Sequence, residues 1–405
     1  MASLSPRFLV VNRATSPLQT CIRCQSRPLQ TCVQRSRLEF SRPFSLQPAL
    51  RSQGHLVPGR NFNYHIASAF TAKNKPYIPP KNLFNFYPGD EIPPPKRPRW
   101  KRPASGQDAF FISHVGGTNA VAFGVADGVG GWEESGVDPA DFSHRLCEYM
   151  ASAADNNVVD TGGLPLTARA LMQRGYDDVC KDNSIHAGGS TASVAVANDD
   201  GTFEVANLGD SGFVQLRLNA VHSYSEPQTH AFNTPYQLSI IPASMLARAA
   251  VFGGAQLCDH PKDADVTQHK VKHGDILIFA TDGVWDNLFN QDILRLASRL
   301  MIRTGAWITT DDGIRVADDL ETLTTVKSPT RYEGFSATLQ AALAMEIASA
   351  AKTASINQRL DGPFAKEVQK YYPQENWHGG KVDDICVIVA IVTEGGKSPE
   401  ISSLL

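Results

Sequence analysis

Several features of common protein classes are missing from this sequence. None of its apolar runs reaches the ~18 residues that a membrane-spanning helix needs, and 38 basic residues against 41 acidic ones leave a net charge of −3. That balance gives no indication of a nucleic-acid partner. The 7 Cys residues are odd in number and scattered, which is a poor disulfide framework and fits a reducing compartment. We therefore expect a globular protein without a transmembrane segment, and no pattern favours a particular oligomeric state.

The first 60 residues lack acidic side chains, with Glu39 as the single exception, while Arg and Ser recur throughout. An Arg-rich, Ser-rich and acid-poor composition is typical of a mitochondrial transit peptide. No apolar core of adequate length follows the first basic residue, which argues against a secretory signal. We predict a transit peptide over residues 1–60; the alternative is a disordered tail without a targeting role.

Proline is concentrated between residues 73 and 103, where it disfavours regular helix and internal strands. The end of this segment is basic, from Lys96 to Arg102. We predict a Pro-rich basic linker over 61–103, a folded domain over 104–395 and a tail over 396–405. Solvation of the linker is the main interpretation of its charge, and the orientation of an anionic substrate is the alternative.

From about Gln107 onwards, short apolar runs rich in β-branched and aromatic residues alternate with Gly-containing turns, which predicts antiparallel strands. Helical patterns, such as the one over Pro139–Ala154, separate groups of these strands. This grouping favours an α+β architecture of packed layers. Residues 303–335 are polar and break the pattern, so we expect an inserted surface lobe there. Ser336 is the expected N-cap of the Ala-rich helix that follows.

Acidic residues stand at the ends of four predicted strands. Asp108 and Asp383 open apolar runs, whereas Asp127 and Asp282 follow them, each with a glycine next in the chain. Unpaired charges at the rim of a buried layer are costly. A divalent cation would relieve repulsion among converging carboxylates, and such hard oxygen ligands suit Mg²⁺ or Mn²⁺. A glycine carbonyl, such as that of Gly128, can approach an ion closely. For any single Asp-Gly pair, a simple turn is the alternative.

The same positions resemble the signatures of the type 2C (PPM) family of metal-dependent protein phosphatases, in order along residues 100–395. Asp127–Gly131 is similar to the family's Asp-Gly-x-Gly-Gly motif. Four further segments resemble its remaining motifs: Gly189–Ala192, Asn207–Gly212, Ala280–Asp286 and Lys381–Ile385. Three segments resemble the mitochondrial branch of that family: Gly130–Trp132, Gly136–Pro139 and Phe232–Leu238.

This resemblance implies a β-sandwich of two antiparallel sheets flanked by helices, with a metal centre at one end. It implies a protein serine/threonine phosphatase whose Asp127 bridges two Mg²⁺ or Mn²⁺ ions, with the Gly128 carbonyl on one of them. Asp282 and Asp383 would complete the coordination of the second ion, and Asp108 would act directly or through water. A water activated by the two ions would attack phosphorus, without a phosphoenzyme.

The resemblance also implies where the enzyme works and on what. A member of the mitochondrial branch would act in the matrix on phosphoserine and phosphothreonine of mitochondrial proteins, and proteins of coenzyme Q synthesis are one such group of substrates. Arg102 is the residue nearest to the family's phosphate-binding position, although its spacing is imperfect and solvation of the linker explains it equally well.

Three positions depart from the family pattern or allow another interpretation. Val129 stands where many members have a His proposed to protonate the leaving group, and Gln107 stands where the family usually has an acid. We interpret Asp210 as part of a hairpin turn rather than as a ligand. The departures at Val129 and Gln107 motivate a second hypothesis, a pseudophosphatase that binds partners without turnover. A two-metal nuclease or small-molecule phosphatase is the third, and the missing basic face argues against the nuclease.

Overall fold

A computed structural model describes residues 61–395, apart from residues 88, 159–164, 253–256, 326–329 and 333–334. The predicted transit peptide over 1–60 and the predicted tail over 396–405 lie outside the described residues. The described chain forms two large antiparallel sheets, four small two-stranded sheets and a set of helices.

A six-stranded antiparallel sheet is the first layer of the fold. Its strands, in spatial order, are β2 (Leu83–Asn85), β1 (Phe62–Thr71), β19 (Ile385–Glu394), β14 (Ile276–Ala280), β8 (Gly212–Arg217) and β9 (Ala220–Tyr224). Strand β19 is an almost unbroken run of β-branched and other apolar residues, which suits a strand that is covered on both faces.

A five-stranded antiparallel sheet is the second layer. Its strands, in spatial order, are β13 (Asp265–Lys270), β7 (Thr202–Leu208), β6 (Ala192–Ala197), β4 (Val121–Asp127) and β3 (Asp108–His114). The hairpin of β3 and β4 was expected from the Gly-containing turn between the two apolar runs.

Side-chain alternation along the strands divides the apolar core into layers. In β19, Cys386 and Ile388 belong to the cluster between the two sheets, whereas Val387 and Val389 belong to the cluster on the opposite face. The two sheets meet through rings such as Phe123, which lies edge-on to another ring of the facing sheet. Period-two alternation of this kind is what a strand buried on both faces requires.

Helices cover the outer face of each sheet. Helices α1 (Pro139–Asp155) and α2 (Ala168–Lys181) pack on the second sheet, and α5 (Asn290–Arg303) and α7 (Leu339–Ser355) pack on the first. The Asp138 carboxylate caps α1 by accepting from the Ala140 amide at 3.1 Å. The result is the predicted α+β sandwich of two antiparallel sheets flanked by helices, so the fold-class prediction is confirmed.

The remaining elements are short. The small sheets pair β5 (Gly188–Ser190) with β12 (Leu238–Ile240), β10 (Thr229–Ala231) with β11 (Thr234–Pro235), β15 (Trp307–Thr310) with β16 (Gly313–Val316), and β17 (Thr330–Tyr332) with β18 (Phe335–Ala337). The other helices are α3 (Ala243–Phe252), α4 (Asp282–Trp285), α6 (Leu320–Leu323) and α8 (Pro363–Tyr371). Within the described ranges, no helix is long and apolar enough to cross a bilayer.

The first strand corrects the linker that the sequence predicted over residues 61–103. Strand β1 pairs with β19 along its whole length, from Phe62 opposite Glu394 to Thr71 opposite Ile385. The folded domain therefore includes residues well before 104. The described part of the Pro-rich remainder holds only the short edge strand β2 and one 3₁₀ turn at Arg99–Lys101, as the missing amide hydrogens of proline predict.

The segment expected to be a surface lobe also contributes to the core. Its Asp311 and Asp312 are exposed as predicted, but Trp307 and Leu320 are fully buried in the cluster that joins the first sheet to α5 and α7. The predicted N-cap at Ser336 was wrong, because Ser336 lies within β18 and α7 begins three residues later at Leu339.

Replacement of Phe279 by Ala tests the packing between the two sheets. Phe279 is fully buried, and its ring centroid lies 5.2 Å from that of Phe123 and 5.4 Å from that of Phe213. We expect Phe279→Ala to lower the free energy of unfolding by about 3–5 kcal/mol, because loss of a large buried ring leaves a cavity. Urea unfolding followed by circular dichroism measures this change.

The matched control for that experiment is Leu360→Ala, at a position that is 61% exposed. We expect Leu360→Ala to lower the free energy of unfolding by less than about 0.5 kcal/mol, because shortening an exposed side chain usually changes stability only slightly. A loss for Phe279→Ala no larger than that of the control would contradict a core shared by the two sheets.

Candidate metal centre

Four strand ends meet at one rim of the sandwich and bring four aspartates together. Asp108 opens β3 and Asp127 closes β4, and the antiparallel register places these two residues opposite each other. Asp282 follows the end of β14, and Asp383 precedes the start of β19, which is the antiparallel neighbour of β14. The end of one antiparallel strand lies beside the start of the next. Each sheet therefore contributes two carboxylates to the same rim.

The proximity of these carboxylates affects their pKa values. Burial raises the pKa of Asp127 well above its usual range, and the charges of Asp282, Asp108 and Asp383 raise it further. The pKa of Asp108 is also raised well above its usual range, by burial first and then by the charge of Asp384. Buried acids that resist ionisation because of one another provide the electrostatic conditions that a divalent cation relieves.

One oxygen of the Asp108 carboxylate accepts a side-chain hydrogen bond, and the other accepts none from the described residues. The Thr281 hydroxyl donates to Asp108 Oδ2 at 2.7 Å, and the Cys386 amide donates to that hydroxyl oxygen at 3.1 Å. Asp108 is 1% exposed, and its Oδ1 has no hydrogen-bond partner among the described residues. A buried acceptor without a partner is costly, so this oxygen is a candidate ligand atom.

The Gly-Ser-Thr-Ala segment positions the backbone of Asp127 and Gly128. Thr191 Oγ1 accepts from the Asp127 amide at 3.1 Å, and the Ser190 hydroxyl donates to the Asp127 carbonyl at 2.8 Å. A Cβ atom at position 128 would lie 2.7 Å from the Pro139 carbonyl oxygen. A side chain therefore does not fit between this loop and the start of α1, which explains the glycine in physical terms.

Lys381 is a site residue that the sequence analysis missed. Its Nζ lies 2.6 Å from an oxygen of Asp282, 2.6 Å from an oxygen of Asp286 and 3.2 Å from an oxygen of Asp383. The buried Asn287 side chain fixes the Lys381 backbone, because it donates to the Lys381 carbonyl at 2.8 Å and accepts from the Lys381 amide at 2.9 Å. Lys381 stands two residues before the predicted ligand Asp383, and this position in the sequence could have identified it as a site residue.

Lys381 and the carboxylates set each other's charge. Burial works against a charged ammonium, yet the neighbouring Asp282, Asp286 and Asp383 raise the pKa of Lys381 well above its usual value. Burial works to raise the pKa of Asp282, but the ammonium of Lys381 lowers it overall. Asp282 is therefore the carboxylate of this group that ionises most readily.

Two further aspartates, Asp210 and Asp286, lie close to these charges. Asp210 lies in the turn between β7 and β8, as the sequence predicted, and burial, followed by the charges of Asp282 and Asp286, raises its pKa to about 8. Burial also raises the pKa of Asp286 to about 7, with Lys381 opposing and Asp282 adding to the shift. Both acids lie in segments next to the strand ends that form this rim, and this position in the sequence could have identified them as site residues.

The adjacent residues Asp383 and Asp384 have different roles. Asp384 accepts from the backbone amides of Lys73 at 2.6 Å and Gln107 at 2.8 Å, and so it ties two distant loops together. Gly106 has a φ of 74°, and a Cβ there would lie 2.2 Å from a carboxylate oxygen of Asp384. Asp384 is thus a structural anchor, whereas Asp383 faces Lys381.

Arg102, the predicted phosphate ligand, forms an ion pair with helix α1. Its Nη1 lies 2.8 Å from Asp141 Oδ1, and its side chain is 9% exposed. Its buried Nε has no hydrogen-bond partner in the described chain. No hydrogen bond or ion pair of the described residues joins Arg102 to the four predicted aspartates.

The two positions that depart from the family pattern carry no acid. The Gln107 side chain donates to Glu133 at 2.6 Å, and the Val129 amide donates to the Gly189 carbonyl at 3.0 Å. Over the ranges that the structure describes, no three His, Cys, Asp or Glu side chains are arranged as a ready coordination sphere. Lys381 brings positive charge into direct contact with the carboxylates of this rim.

Comparison with known proteins agrees with this geometry. Residues 99–322 match the model of the family "Protein phosphatase 2C". The chain belongs to the protein phosphatase 2C family. It is 32% identical over 295 residues to "Protein phosphatase 2C homolog 7, mitochondrial" of Saccharomyces cerevisiae, a match that covers 72% of this chain and 75% of the relative. It is 33% identical over 293 residues to "Protein phosphatase PTC7 homolog" of Xenopus laevis, with 71% and 82% covered.

A solved structure has the same fold. The X-ray structure of the photosystem II phosphatase PBCP matches with a TM-score of 0.53 and 21% identity, over 81% of this chain and 98% of that one. An identity this low shows the fold alone. The family match and the relatives show that this 2C-family protein is a metal-dependent protein serine/threonine phosphatase, as the sequence resemblance implied.

The raised pKa of Asp210 predicts how the stability of this phosphatase changes with pH when metal is removed. The pKa is about 8 in the folded chain and about 4 in an unfolded one. The folded chain holds the extra proton between these values, so stability is lost as the pH rises from about 4 to about 8, by up to about 1.4 kcal/mol per pH unit. Asp210→Asn removes this loss.

In EDTA, the advantage in melting temperature of Asp210→Asn over wild type should therefore grow between about pH 5 and about pH 8. Differential scanning calorimetry measures both proteins across that range. Asp312→Asn, in the exposed turn between β15 and β16, is the matched control and should follow wild type throughout. A constant difference between Asp210→Asn and wild type would contradict the shifted pKa of Asp210.

Proposed function

We propose that this phosphatase hydrolyses phosphoserine and phosphothreonine in mitochondrial proteins with the help of two Mg²⁺ or Mn²⁺ ions. We assign the ions to Asp127, the Gly128 carbonyl, Asp282 and Asp383, with Asp108 acting directly or through water. The observation that carries this proposal is the convergence of buried and half-buried aspartates from both sheets at one rim, where burial and then their mutual charge raise the pKa of Asp108 and Asp127.

The chemistry of the donor set supports hard divalent ions. Every candidate ligand is a carboxylate or carbonyl oxygen, the type that Mg²⁺ and Mn²⁺ prefer. Asp108 Oδ1 is buried without a hydrogen-bond partner in the described chain, and a bound cation or its water would satisfy it. The close fit of Gly128 against Pro139 keeps side-chain atoms away from the carbonyl that we assign to an ion.

The residues around the rim would hold the catalytic aspartates in place. When bound, the two ions would activate a water for attack on phosphorus and offset the charge of the phosphoryl oxygens. Thr281 orients Asp108 through its hydroxyl. Lys381 contacts both Asp282 and Asp383 and so limits their repulsion. These contacts keep ligand atoms from four strand ends at one place.

We place the enzyme in the mitochondrion, and specifically in the matrix. Residues 1–60 are Arg-rich and contain a single acid, Glu39, which is the composition of a transit peptide. The Saccharomyces cerevisiae relative carries the word mitochondrial in its name. Metabolic proteins of the matrix, including those of coenzyme Q synthesis, are the substrates we propose.

A binding protein without turnover is the second candidate, because Val129 and Gln107 remove a proton donor and an acid from the family pattern. The first candidate is favoured, since the aspartates needed for metal binding are all present at the rim. Turnover of a phosphopeptide distinguishes the two.

Asp127→Asn tests the metal assignment directly. The change keeps the shape of the side chain but removes the charge of a carboxylate that would hold the ions. We expect kcat/KM for a phosphothreonine peptide with Mn²⁺ to fall at least about 100-fold, since the interaction would be needed in the transition state. EDTA should abolish turnover by the wild type. Asp312→Asn is the control, and unchanged turnover by Asp127→Asn would show that the assignment is wrong.

Arg102→Ala tests whether the buried guanidinium also binds phosphate. We expect KM for p-nitrophenyl phosphate to rise about 10-fold, because a charge-assisted hydrogen bond to the phosphoryl group is lost. Asp141→Asn weakens the same ion pair from the other side and serves as the matched variant. If both variants lower the melting temperature and neither changes KM, Arg102 has a structural role only.

A further inference from the structure

A cavity of about 630 Å³ adjoins the acidic rim on the side of Asp210 and Asp286, which both line it. Asp286 shares the ammonium of Lys381 with Asp282, at 2.6 Å from each. The cavity therefore lies next to the aspartates to which we assign the ions. Its size lies in the range of ligand-binding clefts and leaves room for a long side chain together with adjoining parts of a bound peptide.

Aromatic rings form much of the cavity wall. Tyr224, Phe289 and Tyr371 line it and are each between 43% and 56% exposed. Trp285 and Phe364 also line it. Exposed rings grouped around a concave surface indicate a binding site more often than isolated exposed rings do.

Two of these rings already contact ammonium groups of the protein itself. Lys370 Nζ lies 4.9 Å from the centre of the Tyr371 ring, and Lys381 Nζ lies 5.1 Å from the centre of the Phe364 ring. Ring faces attract cations through their quadrupole. The wall is thus chemically suited to a positively charged side chain.

The charge of the lining points to the same occupant. Besides Asp210 and Asp286, the carboxylates of Glu226 and Glu367 line the cavity, and no Lys or Arg of the described chain is among its lining residues. Glu367 is paired with Lys370 at 3.7 Å. Glu226 is exposed and has no ion pair within the described ranges. Glu226 and Glu367 on the cavity wall, together with its aromatic rings, complement a guanidinium or ammonium group.

We propose that this cavity binds a basic side chain, preferably Arg, that lies a few residues from the phosphorylated Ser or Thr of the substrate protein. The proposal rests on the proposed phosphatase function and deepens it, since it names a sequence preference of the substrate. Arg is preferred over Lys because its planar guanidinium stacks on rings and forks onto carboxylates. An acidic residue at the same place would be repelled by Glu226, which forms no ion pair within the described ranges.

Phosphothreonine peptides with a single Arg moved along an Ala background test the proposal on the full-length enzyme with Mn²⁺. At the best position, kcat/KM for the Arg peptide should exceed that for the all-Ala peptide by about 3- to 10-fold, the range expected of one cation–aromatic contact. Replacement of that Arg by Glu should lower kcat/KM below the value for Ala. Equal values for the three peptides at every position would overturn the proposal.

Variants assign the preference to the cavity. The ratio of kcat/KM for the Arg and Ala peptides should fall towards one in the double variant Glu226→Gln/Tyr371→Ala. Glu375→Gln, an exposed acid outside the cavity, is the control and should leave the ratio unchanged. A ratio that persists in the double variant would show that the preference arises elsewhere and would overturn the proposal.

A binding measurement separates this proposal from the phosphatase function. Fluorescence anisotropy of the dephosphorylated Arg and Ala peptides in EDTA requires no turnover. If the Arg peptide binds more tightly than the Ala peptide but the enzyme with Mn²⁺ turns over neither phosphopeptide, the cavity assignment stands and the proposed function is wrong. Equal dissociation constants for the two peptides would overturn the cavity assignment, whatever the enzyme does with phosphate.

Discussion

Mutual repulsion among buried carboxylates is the constraint on which the rest of this structure depends. Asp108 and Asp127 come from one sheet, and Asp282 and Asp383 come from the other. Their burial and shared charge raise the pKa of Asp108 and Asp127. A chain that folds with these acids side by side needs positive charge at the same place. Lys381 supplies part of it, and divalent ions are the natural source of the remainder.

The fold and the site are coupled, because neither sheet contains the site alone. The sheets are held together by rings such as Phe123 and Phe279, and their ends are tied by hydrogen bonds such as that from Thr281 to Asp108. Asp384 adds a second tie, to the backbone at Lys73 and Gln107. Changes in packing between the sheets will therefore alter distances between the aspartates, even where no site residue is touched.

At this rim, the aspartates that we assign to metal binding lie beside the cavity that we assign to substrate recognition. The aspartates and Lys381 form a compact charged group, while the adjoining cavity combines rings and carboxylates on segments within and after the Asn207–Gly212 and Ala280–Asp286 motifs. Strands and short helices fix the charged group, whereas the cavity takes several of its residues from the segment between β9 and β12, which contains the small β10–β11 sheet. A reaction centre on the main sheets, with a wall from a connecting segment, is how one reaction can be directed to particular substrates.

The sequence by itself determined the strands with strong apolar runs, the main helices, the family and the four aspartates, because these depend on local composition and on short motifs. It did not reveal β1, whose partner β19 lies more than 300 residues away along the chain. Nor did it reveal Lys381, Asp286 or the part that Asp210 plays. Their roles arise from charges that meet only through space, once antiparallel pairing has brought distant strand ends to one rim.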